Sequence, residues 1–131
     1  MIALDTHAWL WWLHDPSRLG SAARARLEEE SASGQVLVCA ISVWEIATKV
    51  ALGRLRLPLD LDGWLREASR YPNLEIEEIG VADLVESTRL PGEFHKDPAD
   101  RIIVAFARRR KIPLVTTDDK ILAYPHVETL W

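Results

Sequence analysis

Acidic residues fall at the ends of apolar runs in this chain, where they could do chemistry together. Asp5 follows Ile2-Ala3-Leu4, Asp118 follows Leu114-Val115 by two threonines, and Glu45 lies about a helical turn beyond Val36–Ala40. A fourth acid, Asp100, stands at the start of a helical pattern in the stretch His95-Lys96-Asp97-Pro98-Ala99-Asp100-Arg101. Carboxylates brought to one edge repel: two of them about 4 Å apart cost roughly 4 kcal/mol at an effective dielectric near 20. Such a group persists where a cation neutralises it. Magnesium and manganese suit it best, being hard ions that take carboxylate and water oxygens.

Each acid also has a plain structural explanation. Asp97 suits a helix N-cap, Pro98 the first helical position, and Asp100 the positive end of the helix dipole. Ser42-Val43-Trp44-Glu45 has the spacing of a capping box, with Glu45 bonding back to the cap amide. Asp118 or Asp119 can cap a short helix before Ile121, and Asp5 can cap the helix that follows it. Capping does not explain why serine, an equally good neutral cap, is used so seldom at these places.

The elements that must position these acids alternate. Met1–Leu4 reads as a short apolar strand, with Thr6 able to cap a helix from His7 to about His14. Ser17–Glu30 is helical in pattern, with Leu19, Ala22, Ala23 and Leu27 on one face. Val36–Ala40 reads as a buried strand, and Ser42 opens a helix to about Leu52, stopped by Gly53. Leu55–Leu61 reads as an extended connection around Pro58. Helices are expected over Asp62–Tyr71, Val81–Leu90 and Pro98–Arg110, and strands over Leu74–Ile79, Ile112–Val115 and Val127–Trp131. In the Pro98–Arg110 helix, Ile102, Ile103, Ala105, Phe106 and Ala107 point inward or nearly so. Apolar runs alternating with helices predict a three-layer α/β/α sandwich on a mostly parallel sheet, in one domain spanning 1–131.

In a parallel sheet Asp5, Glu45 and Asp118 share the carboxyl edge, where such sheets bind ligands. Asp100 is harder to place. The sequence reading starts the helix that enters a strand at the opposite edge, unless the Val81–Lys96 segment returns the chain.

Composition narrows the classes. The 131 residues suffice for one core, and a formal charge of −4 argues against a general nucleic-acid coat without excluding a nuclease. The one cysteine, Cys39, sits in an apolar run and can form no intrachain disulfide, which fits a reducing compartment. No basic leader and no membrane-length apolar run is evident, so a cytoplasmic protein is expected. His7, His14, His95 and His126 show no ligand spacing and are read as non-catalytic. Arg108-Arg109-Arg110-Lys111 ends a helix, where cations complement the dipole, although it could attract phosphates. Of the six tryptophans, Trp9 and Trp12 can face a core. Trp11 and Trp12 point in different directions, so one of them suits a protein interface.

Four stretches in order carry a family resemblance: Leu4-Asp5-Thr6-His7, then Ser42-Val43-Trp44-Glu45-Ile46-Ala47-Thr48-Lys49 with Gly53-Arg54-Leu55, then His95–Ile103, then Leu114-Val115-Thr116-Thr117-Asp118. Together they resemble a PIN domain, and more narrowly the VapC toxins of toxin–antitoxin pairs, over the whole chain. The resemblance implies an endoribonuclease that uses Mg2+ or Mn2+, with Asp5, Glu45, Asp100 and Asp118 as catalytic and metal-binding residues. Asp5 and Asp100 would hold the ion directly; Glu45 and Asp118 would complete the shell through water or orient the nucleophile. Asp97 would be a cap beside them, and Thr6 and Thr116 would donate supporting hydrogen bonds. It also implies an RNA substrate, a VapB-like antitoxin and a homodimer. A PIN nuclease for RNA processing without an antitoxin shares every one of these residues. A phosphoacceptor receiver does not fit, because Val36–Ala40 ends without an aspartate. A haloacid-dehalogenase-like phosphatase would need an acid where His7 stands.

Overall fold

The computed structural model describes residues 1–131. Five parallel strands form one sheet in the order β3-β2-β1-β4-β5: β1 (Ile2–Leu4), β2 (Val36–Cys39), β3 (Leu74–Glu77), β4 (Leu114–Val115) and β5 (Thr129–Leu130). The central strand pairs Ile2 with Val36 on one side and Ala3 with Leu114 on the other. From β1 the chain builds outward through β2 and β3, then returns to add β4 and β5. Its order therefore reverses between β1 and β4, and a crevice opens there at the carboxyl edge.

Side-chain alternation splits the core into two layers, as the period of a strand requires. Ile2, Leu4, Val36, Val38 and Val115 face α1 (Thr6–His14), α2 (Ser21–Ser33), α3 (Ala40–Ala51) and α4 (Leu61–Ala68), whose Trp9, Leu27, Ile46 and Trp64 are buried against them. Ala3, Leu37, Cys39 and Leu114 face α6 (Pro98–Arg110), with α7 (Asp119–Leu122) contributing Ile121. The helix α6 is buried continuously from Ile103 to Ala107, because α5 (Val81–Ser87) and α3 flank it while the sheet covers its inner side. Val104 is thus a core residue that helical spacing alone did not single out. The expected α/β/α sandwich is what forms.

Several boundaries differ from the sequence reading for local reasons. The helix expected over Ser17–Glu30 divides into a 3₁₀ turn, Pro16–Arg18, and α2 beginning at Ser21. Gly20 stands between them, and a Cβ there would lie 2.5 Å from the backbone of Trp131, so the C-terminal residue closes over a position only glycine can fill. The helix after β2 begins at Ala40, two residues before Ser42, with no side-chain cap. Strands expected over Leu74–Ile79, Ile112–Val115 and Val127–Trp131 are shorter, since pairing covers only four, two and two residues. No helix is long and apolar enough to cross a membrane.

Asp100 reaches the carboxyl edge without a special return of the preceding chain, and the expectation about helix direction is corrected here. A helix that leads by a short connection into a parallel strand must end near the strand's amino end. The thirteen residues of α6 then carry its start back about 20 Å, to the carboxyl edge.

Candidate active site

Asp5 comes off β1 directly into α1. Its Oδ1 accepts a hydrogen bond from Ala8 N at 2.8 Å, so Asp5, not Thr6, is the N-cap. Its Oδ2 accepts from the Thr116 hydroxyl at 2.5 Å, and that hydroxyl accepts from Asp118 N at 3.0 Å. Thr116 thereby ties the end of β1 to the end of β4 across the crevice. Asp5 is 6% exposed. Burial raises its pKa above the ordinary carboxylate range; Thr116 and Ala8 N oppose the shift, and the charge of Asp118 adds to it.

The capping-box reading of Glu45 does not hold. Ser42 lies inside the first turn of α3, and the Glu45 Oε1 accepts from the Thr6 hydroxyl at 2.6 Å, with the buried Ser42 hydroxyl 2.8 Å from the same Thr6 oxygen. Glu45 is held across the structure from α1, and its other oxygen is left free. Asp118 meets its plain expectation by capping α7, with Oδ1 accepting from Lys120 N and Ile121 N. Asp97 likewise caps α6, accepting from Asp100 N at 3.0 Å.

Asp100 is raised as well. Burial, then the charges of Asp97 and Asp118 and, less, of Glu45, push its pKa up to about 6 against an opposing pull from His95. The His95 Nε2 sits 2.9 Å from Asp100 Oδ2, and both side chains are about a quarter exposed. Sequence reading passed over His95 because no ligand spacing marks it; its only signal was its place in the loop that delivers Asp100. Arg101 pins that loop, donating to the carbonyls of Ser87, Phe94 and His95.

Four acids from four segments therefore gather where the crevice opens, and no lysine or arginine forms an ion pair with any of them. The arginine run at the end of α6 faces elsewhere: Arg109 and Arg110 pair with Asp83, and Arg108 with Glu86. No three His, Cys, Asp or Glu side chains converge closely enough to grip an ion by themselves. The donor set is all oxygen, the chemistry magnesium takes, and magnesium is commonly bound through only one or two carboxylates with several retained waters. Cys39 offers no alternative chemistry, since burial raises its thiol to about 11.

The chain is similar to known proteins over nearly its whole length. The PIN domain family matches residues 2–127. Ribonuclease VapC22 of Mycobacterium tuberculosis is 31% identical over 99% of this chain and 98% of its own. Among solved structures, VapBC2 from Rickettsia felis, bound to a DNA fragment from their promoter, superposes with a TM-score of 0.71 at 16% identity, covering 98% of this chain and 97% of that one. FitAcB from Neisseria gonorrhoeae superposes with a TM-score of 0.65 at 21% identity, covering 98% and 96%.

Proposed function

The chain belongs to the PIN-domain family, in its VapC branch, and from that premise we propose that it is a metal-dependent endoribonuclease, the toxin of a toxin–antitoxin pair. One observation carries the reading: four carboxylates from separate elements share the carboxyl edge, unpaired with any lysine or arginine, and burial together with the charges of Asp97, Asp118 and Glu45 raises Asp100 to about 6. A set whose members resist ionising together, with no lysine or arginine beside it, is arranged for a cation from solution.

Asp5 and Asp100 would hold Mg2+ or Mn2+ directly, with Glu45 and Asp118 acting through bound water. The ion, when present, supplies Lewis acidity: it makes water acidic near neutral pH and shares the charge that builds on the phosphate oxygens. The residues of the chain supply position. Thr116 and Ala8 N fix both oxygens of Asp5, so it meets a ligand without reorganising. Thr6 fixes one oxygen of Glu45, and the free one can orient a water for in-line attack on phosphorus. In that attack one P–O bond forms, one P–O ester bond breaks, and the departing oxygen takes a proton.

Residues 1–131 would act as one domain in the cytoplasm, as a homodimer bound by a VapB-like antitoxin. Trp44, 60% exposed one residue from Glu45, is the apolar contact such a partner would find beside the acids. Trp12, expected as a possible contact, is instead buried with its ring edge-on to Tyr71. RNA processing without an antitoxin would use the same acids. The test is cleavage of RNA by the purified protein in Mg2+ or Mn2+, abolished by EDTA. Unchanged cleavage in EDTA would remove the metal from the mechanism.

A further inference from the structure

Beside the carboxylate edge lies a groove of about 480 Å³, walled by α1 on one side and by the end of α3 and the segment after it on the other. Its chemistry is opposite to that of the site. Arg18, Lys49, Arg54 and Arg56 line it against one acid, Asp15, in a chain whose net charge is −4. None of the four is in an ion pair; the salt bridges of the protein occupy Arg26, Arg70, Arg108, Arg109 and Arg110.

The concentration of cations follows from local structure. Residues 54–57 read Arg-Leu-Arg-Leu in an irregular segment without helix or strand pairing, which opens on a bend at Arg54. Leu55 and Leu57 pack half-buried onto the core while Arg54 and Arg56 are exposed, so the two cations turn outward into the same groove. Lys49 is one helical turn beyond Glu45 on α3, which joins this basic wall to the acids. On the opposite wall the Cζ of the exposed Arg18 lies over the Trp11 ring, 4.4 Å from its centroid. His7 borders the groove and lies in the first turn of α1, the helix that Asp5 caps, so the groove runs toward the site.

We infer that this groove is the track for single-stranded RNA entering the carboxylate edge, with Arg54 and Arg56 on successive phosphates and the Arg18–Trp11 pair as a platform for a base. Unpaired cations spaced along one wall, with a guanidinium over an aromatic ring on the other, are the elements of single-strand binding: backbone neutralisation plus stacking. The inference rests on the ribonuclease reading above. It adds which side of the site the strand lies on and which residues hold it.

The test is binding of a fluorescein-labelled, mixed-sequence single-stranded RNA of about 12 nucleotides, followed by anisotropy in EDTA across a salt series. Three full-length proteins are compared: wild type, Arg54→Ala/Arg56→Ala, and Arg66→Ala/Arg89→Ala. The last removes the same charge from exposed positions elsewhere, and melting temperatures verify that all three fold. Loss of two phosphate contacts should weaken binding at least about tenfold at low salt and lower the slope of log K against log salt by about 1.4 for the groove variant alone. A groove variant that binds like wild type, or a control that loses as much, overturns the assignment. So does tighter binding of a poly-glutamate peptide of the same length, which would make the occupant a protein segment. Wild-type cleavage of RNA in Mg2+ is measured alongside. If it occurs while the groove variant binds normally, only the track is lost; if neither Mg2+ nor Mn2+ supports cleavage, the ribonuclease reading falls and the track with it.

Discussion

Asp83 and Asp100 are both acids in the first turn of a helix, and their surroundings drive them in opposite directions. Asp83 has no exposed side-chain surface, yet burial, which would raise its pKa, is overruled by hydrogen bonds from Arg110 and Arg109 and from Gly80 N, and the carboxyl is held below its ordinary range. Glu30 behaves alike: the N-terminal ammonium of Met1, 2.6 Å away, leads the groups that hold it down to about 2. Asp100 is less enclosed, has only His95 beside it, and rises to about 6 under burial and three other acids. What separates a structural acid from a candidate functional one here is its partners. Depth alone would have chosen Asp83.

The largest effect should come from breaking the unpaired set. Asp5→Asn and Asp100→Asn should each cost at least a thousandfold in RNA cleavage, about 4 kcal/mol of transition-state stabilisation, in proteins that still fold. Full activity in a folded variant would remove that residue from the site. Breaking the paired acid should act on the fold instead. Asp83→Ala strips the partner from Arg109 and Arg110, and should cost about 2–3 kcal/mol in denaturant unfolding, below the usual range for buried pairs because both arginines reach water. The folded fraction should still cut RNA. A variant as stable as wild type would show the pairing to be idle.

The contrast also has a pH signature. A group whose folded pKa is raised favours the fold while neutral, so the contribution of Asp100 is complete below about pH 4 and is lost as pH rises through about 6. On the order of 2 kcal/mol should disappear across that window in metal-free protein, and Asp100→Asn should not show the fall. Glu30 has the opposite sign: its depressed pKa gives stability present above its ordinary range and lost as pH drops toward 2. Melting curves from pH 3 to 8, with and without Mg2+, separate the two. A wild-type profile that rises between pH 4 and 6 and matches the Asp100→Asn profile would contradict this account.

The smallest effect distinguishes two roles for Glu45. Glu45→Gln keeps an acceptor for the Thr6 hydroxyl and removes one like charge, so the metal-free protein should gain less than about 1 kcal/mol and melt higher, and the added stability from Mg2+ should shrink. A fall in the metal-free melting point with undiminished response to Mg2+ would make Glu45 a strut between α1 and α3.

Much of this molecule was legible in local pattern. The alternation of apolar runs and helical periods required a parallel sheet between two helical layers, and Asp97-Pro98 read correctly as the start of α6, because caps and periodicity depend on residues only a few positions apart. The charge pattern of residues 54–57 was equally present in the sequence, but nothing local said that Arg18, on another element, would face it. Tertiary structure decided the partners. Glu45 was matched to a capping box that its own segment could form, whereas folding gave it Thr6, 39 residues away. Thr116 reaches Asp5 across 111 residues. The four acids share an edge because strand order and helix direction bring it about, and Asp100 arrives there because a helix entering a parallel strand must run against it. Spacing governs which residues lie on one face of one element. Which faces meet, and so which charges find partners, is settled by how the two apolar layers close over the sheet.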